Sequence, residues 1–197
     1  METLLSMCLG IGLSAACGFR VFVPLFVMSL ASRTGHLALS PGFEWIGTSP
    51  ALLAFAIATC LEIAGYYLPW VDNVLDTIAT PAAIVAGIMV TASAVSGMSP
   101  FVKWALAVIA GGGAAATVQV ATGMTRGTSS LATGGLGNPL IATLEVGAAM
   151  ILSLLAIVLP VLAGLVVLGI LAFAAKKVVE RQRRYAPSVP VSEQSGK

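Results

Sequence analysis

Residues 17–26 read CGFRVFVPLF, an arginine set into an apolar run. From Leu4 to Ala31 the chain holds 28 residues, and Arg20 is the only charged one. A helical crossing of a bilayer needs about 20 apolar residues, so this stretch reads as a first membrane span. Pro24 interrupts it. A proline inside a helix lacks its N–H and clashes with the carbonyl four residues back, here that of Arg20, and it disfavours helical geometry at Val23. With Gly18 just upstream, a break is expected over 18–23. Backbone released from its helical bonds at membrane depth is tolerated only where it is buried in protein or lines a wet cavity. Break and charge therefore coincide, the way transporters build sites from discontinuous helices. The competing reading is a structural arginine that pairs with a carboxylate or caps loose carbonyls.

Working outward, the composition agrees with a membrane protein. Hydrophobic residues make up 58% of the 197 and charged residues only 9%, against about 25% charged in soluble domains; the mean hydropathy is +0.99. Such a surface cannot face water. Six of the ten basic residues (Lys176, Lys177, Arg181, Arg183, Arg184, Lys197) fall in the last 22 positions. The other four are scattered, so no basic patch suits nucleic acid. Cys8, Cys17 and Cys60 lie in apolar stretches and there is one histidine, His36, which argues against a disulfide or metal site. The N-terminus lacks the positive segment of a signal peptide, so the first segment is expected to be retained.

The expected fold is an all-α polytopic transmembrane bundle of about six spans: 4–31, 51–68, 82–98, 101–122, and a 37-residue run, 139–175, divided at Pro160. Undivided, that run would be about 55 Å long, too long for one crossing. Residues 1–175 form the transmembrane helical domain and 176–197 a basic tail, disordered toward its end. The excess of Lys and Arg there puts the tail in the cytoplasm; counting back through six spans puts the N-terminus there too and residues 32–50 outside, in a bacterial inner membrane. The stretches SPALLAFAIATCLEIAGYYLP and NPLIATLEVGAAMILSLLAIVLP share a frame of opening polar-Pro and closing Leu-Pro, each downstream of a glycine-broken span. A three-plus-three inverted repeat would produce that frame.

Two carboxylates, Glu62 and Glu145, lie inside apolar segments, each about 10 Å from a cytoplasmic helix end. An ionisable group within the membrane is costly and is a functional-site hypothesis by default. Arg20, Glu62 and Glu145 are the candidate polar site, with a purely structural Arg–Glu pair as the alternative. At its mouth, PWVDNVLDTIATP (69–81) is bracketed by prolines and reads as a short amphipathic interfacial helix whose polar face carries Asp72 and Asp76. GMTRGTSSLATGGLGN (123–138) reads as a glycine-rich loop. Its backbone N–H groups together with Arg126 and Asn138 offer an anion site, or form a plain flexible loop. The glycines of GGGAAA (111–116) let helices approach closely. No phosphate-binding loop, dinucleotide fingerprint, metalloprotease motif or nucleophile–histidine pairing occurs, so an enzyme is not expected and no cofactor is implied.

With these residues in place, the chain resembles a family of small bacterial integral membrane proteins designated only as a domain of unknown function. The likeness covers about residues 10 to 170. It rests on the Gly18-Phe19-Arg20 segment with Pro24, on Glu62, on Pro69 with Asp72 and Asp76, and on Thr125-Arg126, Asn138 and Glu145. Many members carry Asp-Lys where this chain has Tyr67-Leu68, and a second acid where it has Val146. The resemblance implies a membrane location and no particular activity. The functional expectation is a small transporter or channel-like protein for an ion, a small anion or a lipid headgroup. The alternative is a structural or assembly protein whose buried charges fix helix packing. Expected partners are membrane lipids and the transported species, with a homodimer as an option.

Overall fold

The computed structural model describes residues 1–185; the side chains at 69, 70, 72, 73, 175 and 177–185 lie outside that description. Every regular element among the described residues is helical. The helices are α1 (Glu2–Cys17), α2 (Phe22–Arg33), α3 (Ser49–Gly65), α4 (Pro69–Ala94), α5 (Pro100–Leu106), α6 (Gly113–Thr133), α7 (Asn138–Val158) and α8 (Pro160–Tyr185). A 3-10 turn, Glu44–Gly47, precedes α3, and a π-helical segment, Ala107–Gly112, joins α5 to α6. Prolines set most of the starts. Pro50, Pro69, Pro100 and Pro139 each occupy a first-turn position, and Pro160 opens α8. A missing N–H costs nothing there because the first-turn donors have no intrahelical acceptor. Thr48 and Ser99 add side-chain caps to Ala51 and Val102, and α6 stops at Gly134 in the left-handed conformation, φ 63°.

Among the described residues, three helices are long and apolar enough to cross a membrane: Val74–Ala94, the continuous Pro100–Thr133 and Asn138–Val158. Glu2–Cys17, Phe22–Arg33, Ser49–Gly65 and Pro160–Ala174 are shorter apolar helices. Large apolar side chains stay on the outer surface, among them Leu53, Ile57 and Leu61 of α3 and Leu140, Leu144 and Ile151 of α7. Such a surface belongs against lipid.

The expected break is present at residues 18–21, but its consequence differs from a kinked single span. Thr3, at the start of α1, lies beside Gly97. Met28 and Ser40, on α2 and beyond it, both reach Ser93: the Ser93 hydroxyl approaches the Met28 sulfur at 3.4 Å, and the Ser40 N–H donates to the Ser93 carbonyl at 2.7 Å. Both open ends of the α1–α2 pair thus sit at the end of α4. The two helices form a hairpin, with its tip at 18–21. Residues 4–31 are therefore not one crossing, and the N-terminus and the 34–48 segment share one end of the bundle. Lys103 fastens that segment, donating to Ser40 Oγ at 3.0 Å while its Nζ sits 5.3 Å from the centre of the Phe43 ring.

Two further expectations are corrected. The segment 69–81 is not a separate interfacial helix: α4 runs unbroken through Pro81 to Ala94. Nor is 123–138 a loop. α6 continues to Thr133 and leaves only 134–137 as a turn. Its hydroxyls fold back onto the helix, with Thr117, Thr125, Thr128 and Thr133 each donating to the carbonyl four residues earlier at 2.8–2.9 Å. That bonding lets a run rich in Thr, Ser and Gly stay helical.

The core is a junction of small residues. The Ser14 hydroxyl donates to the Gly111 carbonyl, an acceptor in the π segment, where helical bonding is displaced by one residue. Thr91 Oγ1 donates to the Gly10 carbonyl at 3.1 Å. A Cβ on Gly87 would stand 2.5 Å from Ser14 Oγ and 2.7 Å from Ala115 Cβ. The close approach expected of the 111–116 glycines is observed at Gly111 and Gly112, which abut Thr91 and Ile88. Helices that meet this closely hold the hairpin at a fixed depth.

Candidate functional site

The hairpin tip sets the site. Past Cys17 the chain makes one more tight turn, with the Phe19 and Arg20 N–H groups both donating to Ala16 O. Gly18 presses against α6 at this point: a Cβ there would stand 2.5 Å from the Ala115 carbonyl and 2.6 Å from Val118 Cβ. The next two N–H groups begin α2 and have no intrahelical acceptor. Glu62 of α3 supplies one for each. Its Oε1 accepts from Val21 N at 2.8 Å and its Oε2 from Phe22 N at 3.0 Å. The carboxylate is a helix cap delivered from a neighbouring helix, at the positive end of the α2 dipole. Glu62 and Glu145 were the two candidate partners of Arg20; Glu62 meets the backbone beside Arg20.

Arg20 turns the other way. Its side chain is 1% exposed, and Nη2 lies 3.0 Å from Glu145 Oε2 of α7 and donates to the Ala142 carbonyl at 3.1 Å. Nε and Nη1 are buried and have no hydrogen-bond partner. Arg126 reaches the same carboxylate from α6. Its Nε donates to Glu145 Oε1 at 3.1 Å and its Nη2 to Oε2, a two-pronged pairing, while Nη1 meets Asp76 Oδ1 of α4 at 2.6 Å. Both guanidiniums lie over the ring of Tyr66, at 3.8 Å and 4.0 Å from its centre. An aromatic face attracts a cation most strongly where water is excluded.

The expected set Arg20, Glu62 and Glu145 is thus brought together, with Glu145 as the ion partner. Arg126 and Asp76, assigned from sequence to a loop and a vestibule helix, belong to the same cluster. Arg126, Glu145 and Asp76 each lie seven residues from a helix end, about 10 Å along the axis. The cluster therefore forms one layer near the end of the bundle that carries the 66–68 and 134–137 turns. Asp76 is the partly exposed member of the layer, with a side chain 31% exposed. Asn138 stands apart, its Nδ2 donating to Ser130 Oγ at 3.0 Å and tying α7 to α6. The Asp72 side chain is outside the described residues.

Sequence reasoning missed Tyr66, whose ring both guanidiniums share. It also missed the inward direction of Arg126. A signal for the latter exists: Ala115, Val118, Gln119, Thr122 and Arg126 are all buried, and they recur at helical spacing on one face. No group of three His, Cys, Asp or Glu side chains fit to hold a metal occurs among the described residues.

Searches of curated proteins and of solved structures return no match. A family model does match, over residues 7–180, and its description reads "Domain of unknown function (DUF4126)". That span takes in the hairpin tip and the whole ionic layer, and the chain is a member of the DUF4126 family.

Proposed function

We propose that the protein is a small membrane transporter or channel-like protein whose polar site is the ionic layer of Arg20, Glu62, Asp76, Arg126 and Glu145. One observation carries the reading: Arg20 sits buried at the tip of a helical hairpin in an apolar bundle, with two of its three nitrogens unpaired. A charge held only for packing gains by saturating its donors, because each buried donor left unpaired costs about 1–3 kcal/mol. A charge that must exchange partners keeps some free. Broken helices whose ends face buried charges are how transporters hold ions near mid-membrane, and the exposed edge of Asp76 offers the layer a way out.

The proposal includes residence in an inner membrane with the basic tail in the cytoplasm, as the positive-inside rule indicates. The hairpin replaces the six-span count with three segments before α4 (α1, α2 and α3) and three after it (α5–α6, α7 and α8). A three-plus-three inverted repeat and a homodimer stay proposals on that frame.

The rival is a structural role, supported by Arg126, whose guanidinium is held by two carboxylates. Flux separates the two. Protein reconstituted into liposomes with an internal pH-sensitive dye is supplied in turn with sodium, potassium, chloride and nitrate gradients. Transport predicts flux in the wild type and, in Glu145→Gln, a loss of flux per folded molecule beyond what its lowered stability accounts for. A structural role predicts no flux from wild type, and a yield and thermal stability that fall together in the variant.

A further inference from the structure

We propose that the ionic layer takes up a proton and that Glu62 is the carboxylate that holds it. The inference rests on the transport reading and names the ion of that same site.

Charge and packing select the ion. Among the described side chains, the layer sets two guanidiniums, Arg20 and Arg126, against three carboxylates, Glu62, Asp76 and Glu145. Fully ionised, it carries one negative charge in excess, in surroundings that screen charge poorly. One added positive charge makes it neutral. The room for that charge is narrow. The Arg20, Arg126 and Glu145 side chains are each at most 5% exposed. The Tyr66 ring centre lies 3.8 Å from one guanidinium and 4.0 Å from the other. A sodium or potassium ion would have to part these groups to enter. A proton adds to an oxygen already in place.

Bonding selects the oxygen. Glu145 is met by both arginines and Asp76 by Arg126, so neutralising either would strand a buried guanidinium. Glu62 is buried, and its two oxygens accept from the Val21 and Phe22 N–H groups with no guanidinium nitrogen on either. Neutralising it breaks no ion pair. The titratable and charged groups around it are Cys17 and Arg20 at the hairpin tip, Tyr66 on its own helix, Asp76 of α4, Arg126 of α6 and Glu145 of α7.

Uptake forms one O–H bond on Glu62 and leaves every other covalent bond intact. The protonated oxygen becomes a donor, so one of the two N–H groups loses its acceptor. The negative charge at the positive end of the α2 dipole disappears with it. Thr59, three residues earlier on α3, keeps a buried Oγ1 without a partner and is a candidate acceptor for the new O–H. A proton on Glu62 therefore loosens the hairpin tip that carries Arg20.

The test is hydrogen exchange at the Val21 and Phe22 amides of the full chain in detergent, corrected for the intrinsic pH dependence of exchange. In the wild type their protection is expected to fall by up to about tenfold per unit fall in pH and to level off once Glu62 is protonated. The Leu159 amide, bonded to the Leu155 carbonyl at 2.8 Å, is the reference and should not follow. Glu62→Gln is neutral at every pH and is expected to hold the low protection of the acid wild type throughout. Protection at Val21 and Phe22 that ignores pH, or that moves in step with Leu159, overturns the proposal without any variant. So does a pH dependence that survives in Glu62→Gln. Liposome flux tests the parent reading separately. Titration of the tip without flux of any ion keeps the proton site and sinks transport; flux through a protein whose tip ignores pH does the reverse.

Discussion

At the scale of single residues, two glutamates of similar depth do different work. Glu145 neutralises charge, since both arginines converge on its Oε2. Glu62 completes a backbone, filling the acceptor places that the break at 18–21 leaves empty. These roles predict different energetics. Removing one member of a buried ion pair leaves an uncompensated charge and typically costs about 3–5 kcal/mol. A double-mutant cycle joining Arg20→Met and Glu145→Gln, read by thermal unfolding in detergent, should therefore show a coupling of about 0.5–3 kcal/mol. The same cycle with Glu62→Gln should show the smaller coupling, because no Arg20 nitrogen bonds the Glu62 carboxylate. The reverse order would mean that Arg20 swings to Glu62 in the membrane. Glu62→Ala should itself cost about 0.5–2 kcal/mol, as loss of a helix cap does, with its earliest effect in hydrogen exchange at the start of α2.

At the scale of elements, the hairpin is the feature that the sequence announced and disguised together. Gly18, Arg20 and Pro24 mark the break plainly, because each acts on the backbone within a turn of itself. The direction the chain takes beyond the break is set by distant residues. The return of α2 depends on Ser93 receiving Ser40 and on Lys103 holding the 34–48 segment, contacts between residues some 50 to 60 positions apart that no local pattern encodes. Pro81 and the Gly/Thr/Ser run of 123–133 misled in the opposite sense: strong local breakers were overridden by packing and by hydroxyls that bond back to their own helix. The five helix starts on proline were legible because a first-turn proline needs no tertiary partner. The hairpin makes a sharp topological prediction. A side-specific reporter at the N-terminus and the same reporter inserted beside His36 should give the same signal, since both lie at one end of the bundle. Opposite signals would restore a single span through residues 4–31.

At the scale of the whole molecule, glycine separates the inside of the bundle from its lipid face. Gly12 and Gly87 sit where helices touch: a Cβ would stand 2.9 Å from Ala156 Cβ at the first and 2.5 Å from Ser14 Oγ at the second. Gly147 of α7 and Gly169 of α8 have nothing within 4 Å. If the outer apolar surface meets only lipid, the two pairs should respond oppositely to leucine. Gly12→Leu and Gly87→Leu should force α1 away from its neighbours and lower stability by about 1–3 kcal/mol or more, as overpacking does. Gly147→Leu and Gly169→Leu should be neutral or stabilising by up to about 1 kcal/mol, because leucine is the better helix former and adds apolar surface where lipid can take it. Thermal unfolding in detergent, paired with sizing of the detergent complex, reads both effects. Loss of stability at Gly147 or Gly169 together with a fall in particle size would show that face to be the seat of a second copy, placing the homodimer on α7 or α8.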